Sequence, residues 1–239
     1  MKIGIAVIAI VLLTAGAWAE LQTVSVGGEL RIRGGYYNWD RAGDDTAFVQ
    51  ERTRLGVTAD FTDEVSAVIE MDSYDIWGED FRSNYVTGLD ARAASGDDVE
   101  MYQAYIQADK MWGAPLRLRV GRQEMAFGSQ WLVGVNDEAN EFTGLSFDAL
   151  RLDYTTDMFS VDAFASKLAE TFGDFGDDDT DFYGIYASCF AVENVQFDAY
   201  WLYLNDDTNT VGKDVDLHTV GLRAAGAVGA FDFDAEVAR

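Results

Sequence analysis

Seven arginines stand out in this chain because six of them form pairs in which one residue separates the two members. They are Arg31 and Arg33, Arg52 and Arg54, Arg117 and Arg119, and the single Arg151. A guanidinium group is always charged in proteins and binds a carboxylate through two parallel hydrogen bonds. Side chains two residues apart in a β-strand point to the same face. The spacing therefore predicts an anion-binding surface, provided that the pairs lie on strands.

The segments that carry these arginines alternate between apolar and polar residues, as amphipathic β-strands do. In residues 23–37, one face consists of Val24, Val26, Leu30, Ile32 and Tyr36, and the arginines lie on the other. Eleven segments alternate in this way: 23–37, 48–61, 65–74, 99–109, 116–127, 145–155, 159–167, 182–190, 195–204, 217–224 and 230–239. A strand with one apolar and one polar face suits a wall between lipid and water. The sequence predicts an all-β fold, a transmembrane antiparallel up-and-down β-barrel with the arginines facing the lumen.

The connections between these segments alternate between short and long. The short ones are 62–64, 110–115, 156–158, 191–194 and 225–229, and the long ones are 40–47, 75–98, 128–144, 168–181 and 205–216. Bacterial outer-membrane barrels have short periplasmic turns and longer outer loops. Residues 1–19 resemble a signal peptide, with Lys2, an apolar run at 3–13 and Ala-Trp-Ala before the expected cleavage site. We therefore expect Sec export and a barrel in the bacterial outer membrane over residues 20–239.

The acidic residues are concentrated in the long loops, which hold 22 of the 42 in the chain, whose net charge is −25. Asp174, Asp177 and Asp179 form a weak candidate site for loosely bound calcium, because hard cations bind carboxylate oxygens. The alternative is a solvated anionic loop near lipopolysaccharide. We expect no other cofactor. We also expect no enzymatic activity, because Cys189 and His218 are the only residues of their types and no nucleophile-elbow motif occurs.

Two interpretations of the inward arginines remain open. They could form a track for an anionic permeant, or they could brace the barrel through salt bridges, because several acidic residues also face inward. These acids are Glu29, Asp60, Glu70, Asp72, Asp109 and Asp153. The ninth and last segments place only acids on the inner face, namely Asp198, Asp232, Asp234 and Glu236. An arginine stripe opposite an acidic wall favours the track.

Residues 121–134 read Gly-Arg-Gln-Glu-Met-Ala-Phe-Gly-Ser-Gln-Trp-Leu-Val-Gly, which resembles the signature of the alginate-export porin family. Residues 52–57 and 147–152 are similar to flanking parts of that family. The resemblance implies a monomeric outer-membrane barrel whose arginine-rich constriction passes a polyuronate. The positions that it assigns to this constriction are Arg31, Arg52, Arg54, Arg117, Arg119 and Arg151. Because bacterial barrels have even strand numbers, we expect the eleven segments to be the N-terminal part of a barrel of roughly 16–18 strands.

The leading functional hypothesis is an outer-membrane porin that passively passes anionic, carbohydrate-derived solutes or polysaccharide. Transport would be passive because no phosphate-binding loop motif occurs. Loop 128–144, with Gln130 and Trp131, could fold inward as a constriction. The expected partners are outer-membrane lipid, lipopolysaccharide and the anionic permeant, but not nucleic acid. The alternative is a non-transport barrel, a scaffold or an adhesin, that displays acidic loops.

Overall fold

A computed structural model describes residues 21–37, 46–78, 99–135, 137, 144–170, 179–207 and 215–239. Eleven strands form one antiparallel sheet in which each strand pairs with its sequence neighbours. They are β1 (Thr23–Tyr37), β2 (Thr46–Thr62), β3 (Val65–Ile76), β4 (Glu100–Ala108), β5 (Leu116–Gln123), β6 (Phe147–Thr155), β7 (Phe159–Ala169), β8 (Thr180–Val192), β9 (Val195–Asp206), β10 (Val215–Val228) and β11 (Phe231–Ala238). The predicted all-β, up-and-down fold is confirmed. In these ranges no helix is long and apolar enough to cross a membrane.

The apolar face of the sheet is uncovered. On β1, the exposed fractions of Val26, Leu30 and Ile32 are 68%, 63% and 52%. The same pattern recurs across the sheet, for example at Ile69 on β3 and Val237 on β11, which are 48% and 65% exposed. Soluble proteins rarely expose contiguous apolar patches of this extent. Outward apolar side chains on consecutive strands are the feature expected of a lipid-facing barrel wall.

The polar face is concave. The connection between β5 and β6 bears Ser129, whose hydroxyl donates to Glu236 of β11 at 2.6 Å, and Asp137, which binds Arg52 of β2. In a flat sheet, β2 and β11 would lie about 43 Å apart, since neighbouring strands are about 4.8 Å apart. The nine residues from Ser129 to Asp137 span at most about 28 Å when fully extended, and backbone hydrogen bonds from Phe127 to Val133 and from Gln130 to Phe127 fold this segment back on itself. The sheet therefore curves around this connection, with the arginine-bearing face on its concave side.

The fifth strand is shorter than the alternation predicts. The sequence indicates a strand over 116–127, but β5 ends at Gln123. Met125 and Phe127 leave the wall and are buried, with exposed fractions of 0% and 8%. Their apolar side chains pack on the inner face of the sheet instead of facing lipid. The alternation continues through these two residues, and for this reason it predicts a strand that is too long.

Gly121 permits the close approach of β4 and β5. Its φ is +123°, and an added Cβ would lie 2.2 Å from the carbonyl oxygen of Ala104. We expect Gly121→Ala to destabilise the folded protein, with backbone strain alone contributing about 1–3 kcal/mol. The measurement is the temperature at which the folded species disappears in heat-modifiability electrophoresis. Gly27→Ala is the control, because no atom lies within 4 Å of that added Cβ. Equal transition temperatures for the two variants would contradict the prediction.

Candidate functional site

The first site is the β1–β2 arginine cluster, which consists of Arg31, Arg52 and Arg54. The strand register places Arg31 directly opposite Arg52, and Arg54 opposite Glu29. All three arginines lie on the face opposite the exposed Leu30. Arg52 is completely buried and Arg54 is 7% exposed. These three arginines of the first two strands thus form one compact patch on the polar face of the sheet.

Acidic side chains on the wall offset the positive charge of this cluster. Glu29 accepts from Arg31 at 2.9 Å and from Arg52 at 3.0 Å. The Nε of Arg54 donates to Asp72 at 2.6 Å. Removing charged groups from water is costly unless each is paired and hydrogen-bonded. These pairs explain how three guanidinium groups can lie side by side on a largely buried surface.

A third carboxylate reaches the cluster from the β5–β6 connection. Asp137 binds Arg52 through Oδ1 and Arg54 through Oδ2, the latter at 2.9 Å. The same Oδ1 lies 3.4 Å from Nη1 of Arg31. Burial acts to raise the pKa of Asp137, but the hydrogen bond from Arg52 and the charges of Arg54 and Arg31 hold this pKa below its usual value. Asp137 is therefore ionised at neutral pH.

Two further contacts orient the cluster. The guanidinium of Arg54 lies 3.8 Å from the ring centroid of Tyr102, whose hydroxyl donates to Glu124. Arg33 extends the arginine row along β1 and donates to the side-chain oxygen of Gln50 at 2.5 and 2.9 Å. Cation–π contacts and bidentate hydrogen bonds restrict the rotation of a guanidinium group. The arginines are consequently held in defined orientations toward the interior.

The second site is the β5–β6 arginine cluster, which consists of Arg117, Arg119 and Arg151. Arg119 lies directly opposite Arg151 in the register, and Arg117 lies opposite Asp153. Arg117 donates to Asp109 at 2.6 Å, and Arg151 contacts Asp162 at 2.5 Å. Because Arg117 follows the short connection between β4 and β5, this cluster lies near the end of the sheet that carries the short turns.

Arg119 differs from its neighbours because its contacts in the described part of the chain are with uncharged groups. It donates to the side-chain oxygen of Gln107 at 2.8 and 3.2 Å, and its guanidinium lies 4.4 Å from the ring centroid of Tyr105. Among the residues that the structure describes, no carboxylate hydrogen-bonds to it, and the nearby Asp109, which binds Arg117, attracts it electrostatically. Arg119 is thus the predicted arginine that is best placed to accept a carboxylate from outside the protein.

The acidic residues of β9 and β11 do not form the uniform negative wall that the sequence pattern indicates. Arg223 of β10 lies between these strands and donates to Asp234 through two nitrogens, both at 2.8 Å. It also binds Asp198 at 2.8 Å. The outward Leu222 indicates by strand parity that Arg223 points inward, so the signal was present in the sequence but was missed. This part of the wall is braced by salt bridges.

The connection after β5 forms a lumen loop, defined here as the described residues 124–135 and 137. The ring of Phe127 stacks on the rings of Phe164 and Tyr186, with centroid distances of 5.6 and 5.0 Å. The guanidinium of Arg151 lies 5.2 Å from the centroid of the same phenylalanine. Aromatic packing of this kind adds to the stabilisation from burial. The lumen loop is therefore attached to the inner wall next to the second arginine cluster.

Gln130 and Trp131, the predicted constriction residues, differ in their surroundings. The side-chain oxygen of Gln130 accepts from the backbone of Val135 at 3.1 Å and braces the loop. Trp131 is 60% exposed, so its indole projects from the loop surface. The structure places both on the lumen loop, and their role as a constriction stays a prediction.

The calcium hypothesis concerns residues that lie mostly outside the described ranges. Asp174 and Asp177 are not described. Asp179 accepts a hydrogen bond from Lys167 at 2.6 Å. Within the described ranges, no group of three or more His, Cys, Asp or Glu residues is arranged to hold a metal ion. A calcium site therefore stays a prediction for this loop.

Comparison with known proteins identifies a family for this chain. A family model described as alginate export matches residues 22–239, which include all eleven strands, both arginine clusters and the lumen loop. No curated protein matches the chain. The match assigns the chain to a transport family with an outer-membrane role in polysaccharide export, and it confirms the resemblance carried by residues 121–134. The chain therefore belongs to the alginate export family.

Proposed function

We propose that this protein passively passes an anionic polysaccharide of the uronate class through an arginine-lined pore in the outer membrane. The observation that carries the proposal is the gathering of the predicted arginines on the concave face in two clusters. Arginine binds carboxylates bidentately, and a water-filled interior with low-dielectric walls strengthens the attraction of anions. The permeant carboxylates would therefore bind the arginines during passage.

Successive exchange between arginines would move the polymer. The β5–β6 cluster lies near the short turns, whereas Arg52 and Arg54 lie at least eight residues from the turn that follows β2. A polymer with a carboxylate on every sugar could contact both clusters at once and transfer each carboxylate from one guanidinium to the next. Conduction requires binding that is weak enough to be released. The acidic residues beside most of these arginines would limit the strength of binding.

The salt-bridge interpretation explains part of the lumen but not all of it. Arg223 and Arg54 have close carboxylate partners, at 2.8 and 2.6 Å, as bracing requires. Arg119 has neutral partners, Gln107 and Tyr105, and lies beside Arg151. A guanidinium that lies beside other guanidinium groups and has no hydrogen-bonded carboxylate among the described residues is unfavourable for bracing. This arrangement is favourable for binding an external anion.

The outer face of the sheet supports a location in the outer membrane. Exposed apolar side chains such as Val26 and Val237 would contact lipid acyl chains. The acidic loops would lie near lipopolysaccharide in the outer leaflet, and the signal sequence at residues 1–19 would direct Sec export. We propose that the protein acts as a monomeric pore, as membership of the alginate export family implies.

The test is the ion selectivity of the purified protein in planar lipid bilayers. We expect the double variant Arg117→Gln and Arg119→Gln to shift the reversal potential toward cation selectivity, because two positive charges leave the lumen. Arg122→Gln is the matched control, because Arg122 binds Asp148 at 2.9 Å on the outer face of the sheet. An unchanged reversal potential in the double variant would refute the arginine track. An absence of conductance in the wild type would favour a scaffold or adhesin.

A further inference from the structure

We propose that Asp137 is a specificity-determining residue that occupies the β1–β2 arginine cluster in place of a permeant carboxylate, so that a uronate unit must displace it. This inference rests on the proposed function and deepens it. It concerns the competition between a side chain of the protein and the carboxylate of the polysaccharide for the same guanidinium groups.

The contacts of Asp137 are those expected for a bound uronate. Its two carboxylate oxygens are shared among Arg31, Arg52 and Arg54, with Oδ2 2.9 Å from Arg54. A uronate carboxylate has the same planar shape, the same charge and two oxygens with the same spacing. Guanidinium groups recognise this planar geometry. The cluster therefore cannot distinguish the two carboxylates by their charge or local shape.

The origin of Asp137 separates it from the other acids of the cluster. Glu29, Glu70 and Asp72 belong to β1 and β3 and are fixed by the pairing of the sheet. Asp137 belongs to the lumen loop, which is attached to the wall at Phe127, ten positions earlier in the chain. Among the described carboxylates of this cluster, that of Asp137 can move away from the arginines without disturbing strand pairing.

Exchange is favoured because water reaches this position. The side chain of Asp137 is 22% exposed, whereas Arg52 is completely buried. An incoming carboxylate can approach from the solvent side as Asp137 leaves, so the guanidinium groups are never left without an anion. Stepwise replacement avoids the large desolvation cost of an uncompensated buried charge. It also keeps the net affinity for the permeant low, because the ion pairs that the permeant forms replace the ion pairs that Asp137 gives up.

The chemistry predicts which ligands are selected. A neutral sugar cannot replace the charge of Asp137, so it leaves the ion pairs intact and passes without binding here. A chain of uronates can replace Asp137 repeatedly, one carboxylate at a time. The internal carboxylate would thus exclude neutral oligosaccharides from the cluster and shorten the time for which each uronate stays bound.

The experiment measures how long single oligouronate molecules block the current through the protein in planar bilayers. The probe is a short, purified oligouronate, and a neutral oligosaccharide of the same length serves as comparison. We expect Asp137→Asn to lengthen the oligouronate blockades by about tenfold, which corresponds to about 1.4 kcal/mol. Asp137→Glu keeps a carboxylate and should restore short blockades. Asp232→Asn, an inward acid on β11 that lies opposite Ala227, controls for lumen charge.

Each outcome separates this inference from the proposed function. If oligouronate blocks the wild type and the blockades are unchanged or shorter in Asp137→Asn, the proposed role of Asp137 is wrong. The proposed uronate pore is not contradicted by that result. Equal lengthening in Asp232→Asn would overturn it too, because a general charge effect would then suffice. Conductance without oligouronate blockades in the wild type and in both variants of Asp137 would refute the proposed function itself. Heat-modifiability electrophoresis shows that each variant is folded.

Discussion

Replacing Ile69 with arginine should prevent stable insertion into lipid, whereas the same replacement at the adjacent Val68 should be tolerated. Both residues are apolar and lie near the middle of β3, so their depth in the membrane is nearly the same. Ile69 is 48% exposed on the outer face. Val68 is paired with Thr58 and Tyr105 on the inner face. An arginine facing lipid near the bilayer midplane costs about 2–4 kcal/mol, whereas one facing an aqueous lumen does not.

The measurement is the free energy of unfolding in lipid vesicles during a urea titration, together with the fraction of protein that inserts. Ile69→Arg should lower both quantities, and Val68→Arg should stay close to the wild type. The adjacent positions make each variant the control for the other. Equal stability of the two variants would show that the apolar face does not contact lipid, and the barrel interpretation would fail.

Replacing Phe127 with alanine should detach the lumen loop and increase the single-channel conductance. The ring is 8% exposed and stacks on Phe164 and Tyr186. Truncating a buried phenylalanine costs about 3–5 kcal/mol, and each 1.4 kcal/mol changes an equilibrium about tenfold. The equilibrium between the attached and the detached loop should therefore shift more than a hundredfold toward the detached loop. A detached loop leaves more of the lumen open and fluctuates during the recording.

Single-channel recordings at fixed salt concentration measure this effect as a larger mean current with more open-channel noise. Phe197→Ala is the matched control, because its ring is 47% exposed and lies on the outer face of the sheet. An unchanged conductance in a folded Phe127→Ala protein would mean that the loop does not narrow the conducting path. The loop would then act as a structural connection alone.

We propose different roles for the two arginine clusters. At the β1–β2 cluster, a permeant carboxylate would bind by displacing Asp137. At the β5–β6 cluster it would bind Arg119 directly, because no carboxylate hydrogen-bonds to Arg119 among the described residues. Salt bridges and a transport track would then coexist in one lumen. The variants of Arg119 and Asp137 test these two modes independently.

The faces of the strands could be predicted from the sequence because side-chain alternation is a local property of extended backbone. Arg31 and Arg33 must share a face whatever the rest of the chain does. The alternation of short and long connections likewise predicts antiparallel neighbours, since a short turn joins adjacent strands. For these reasons the eleven strands and their order agree with the sequence-based expectations, whereas the arginine-lined lumen stays a prediction.

The partners of the inward charges could not be obtained in this way, because they depend on contacts between distant parts of the chain. Asp137 is 106 positions from Arg31 and 85 positions from Arg52. Sequence periodicity does not assign a partner to a side chain in a loop. The alternation that includes Met125 and Phe127 is the same whether these residues face lipid or an aromatic cluster. Only the curvature of the sheet, which brings the lumen loop against both β2 and β11, selects among these possibilities. The local pattern thus specifies the wall, and the curvature of the wall specifies which of its charges meet.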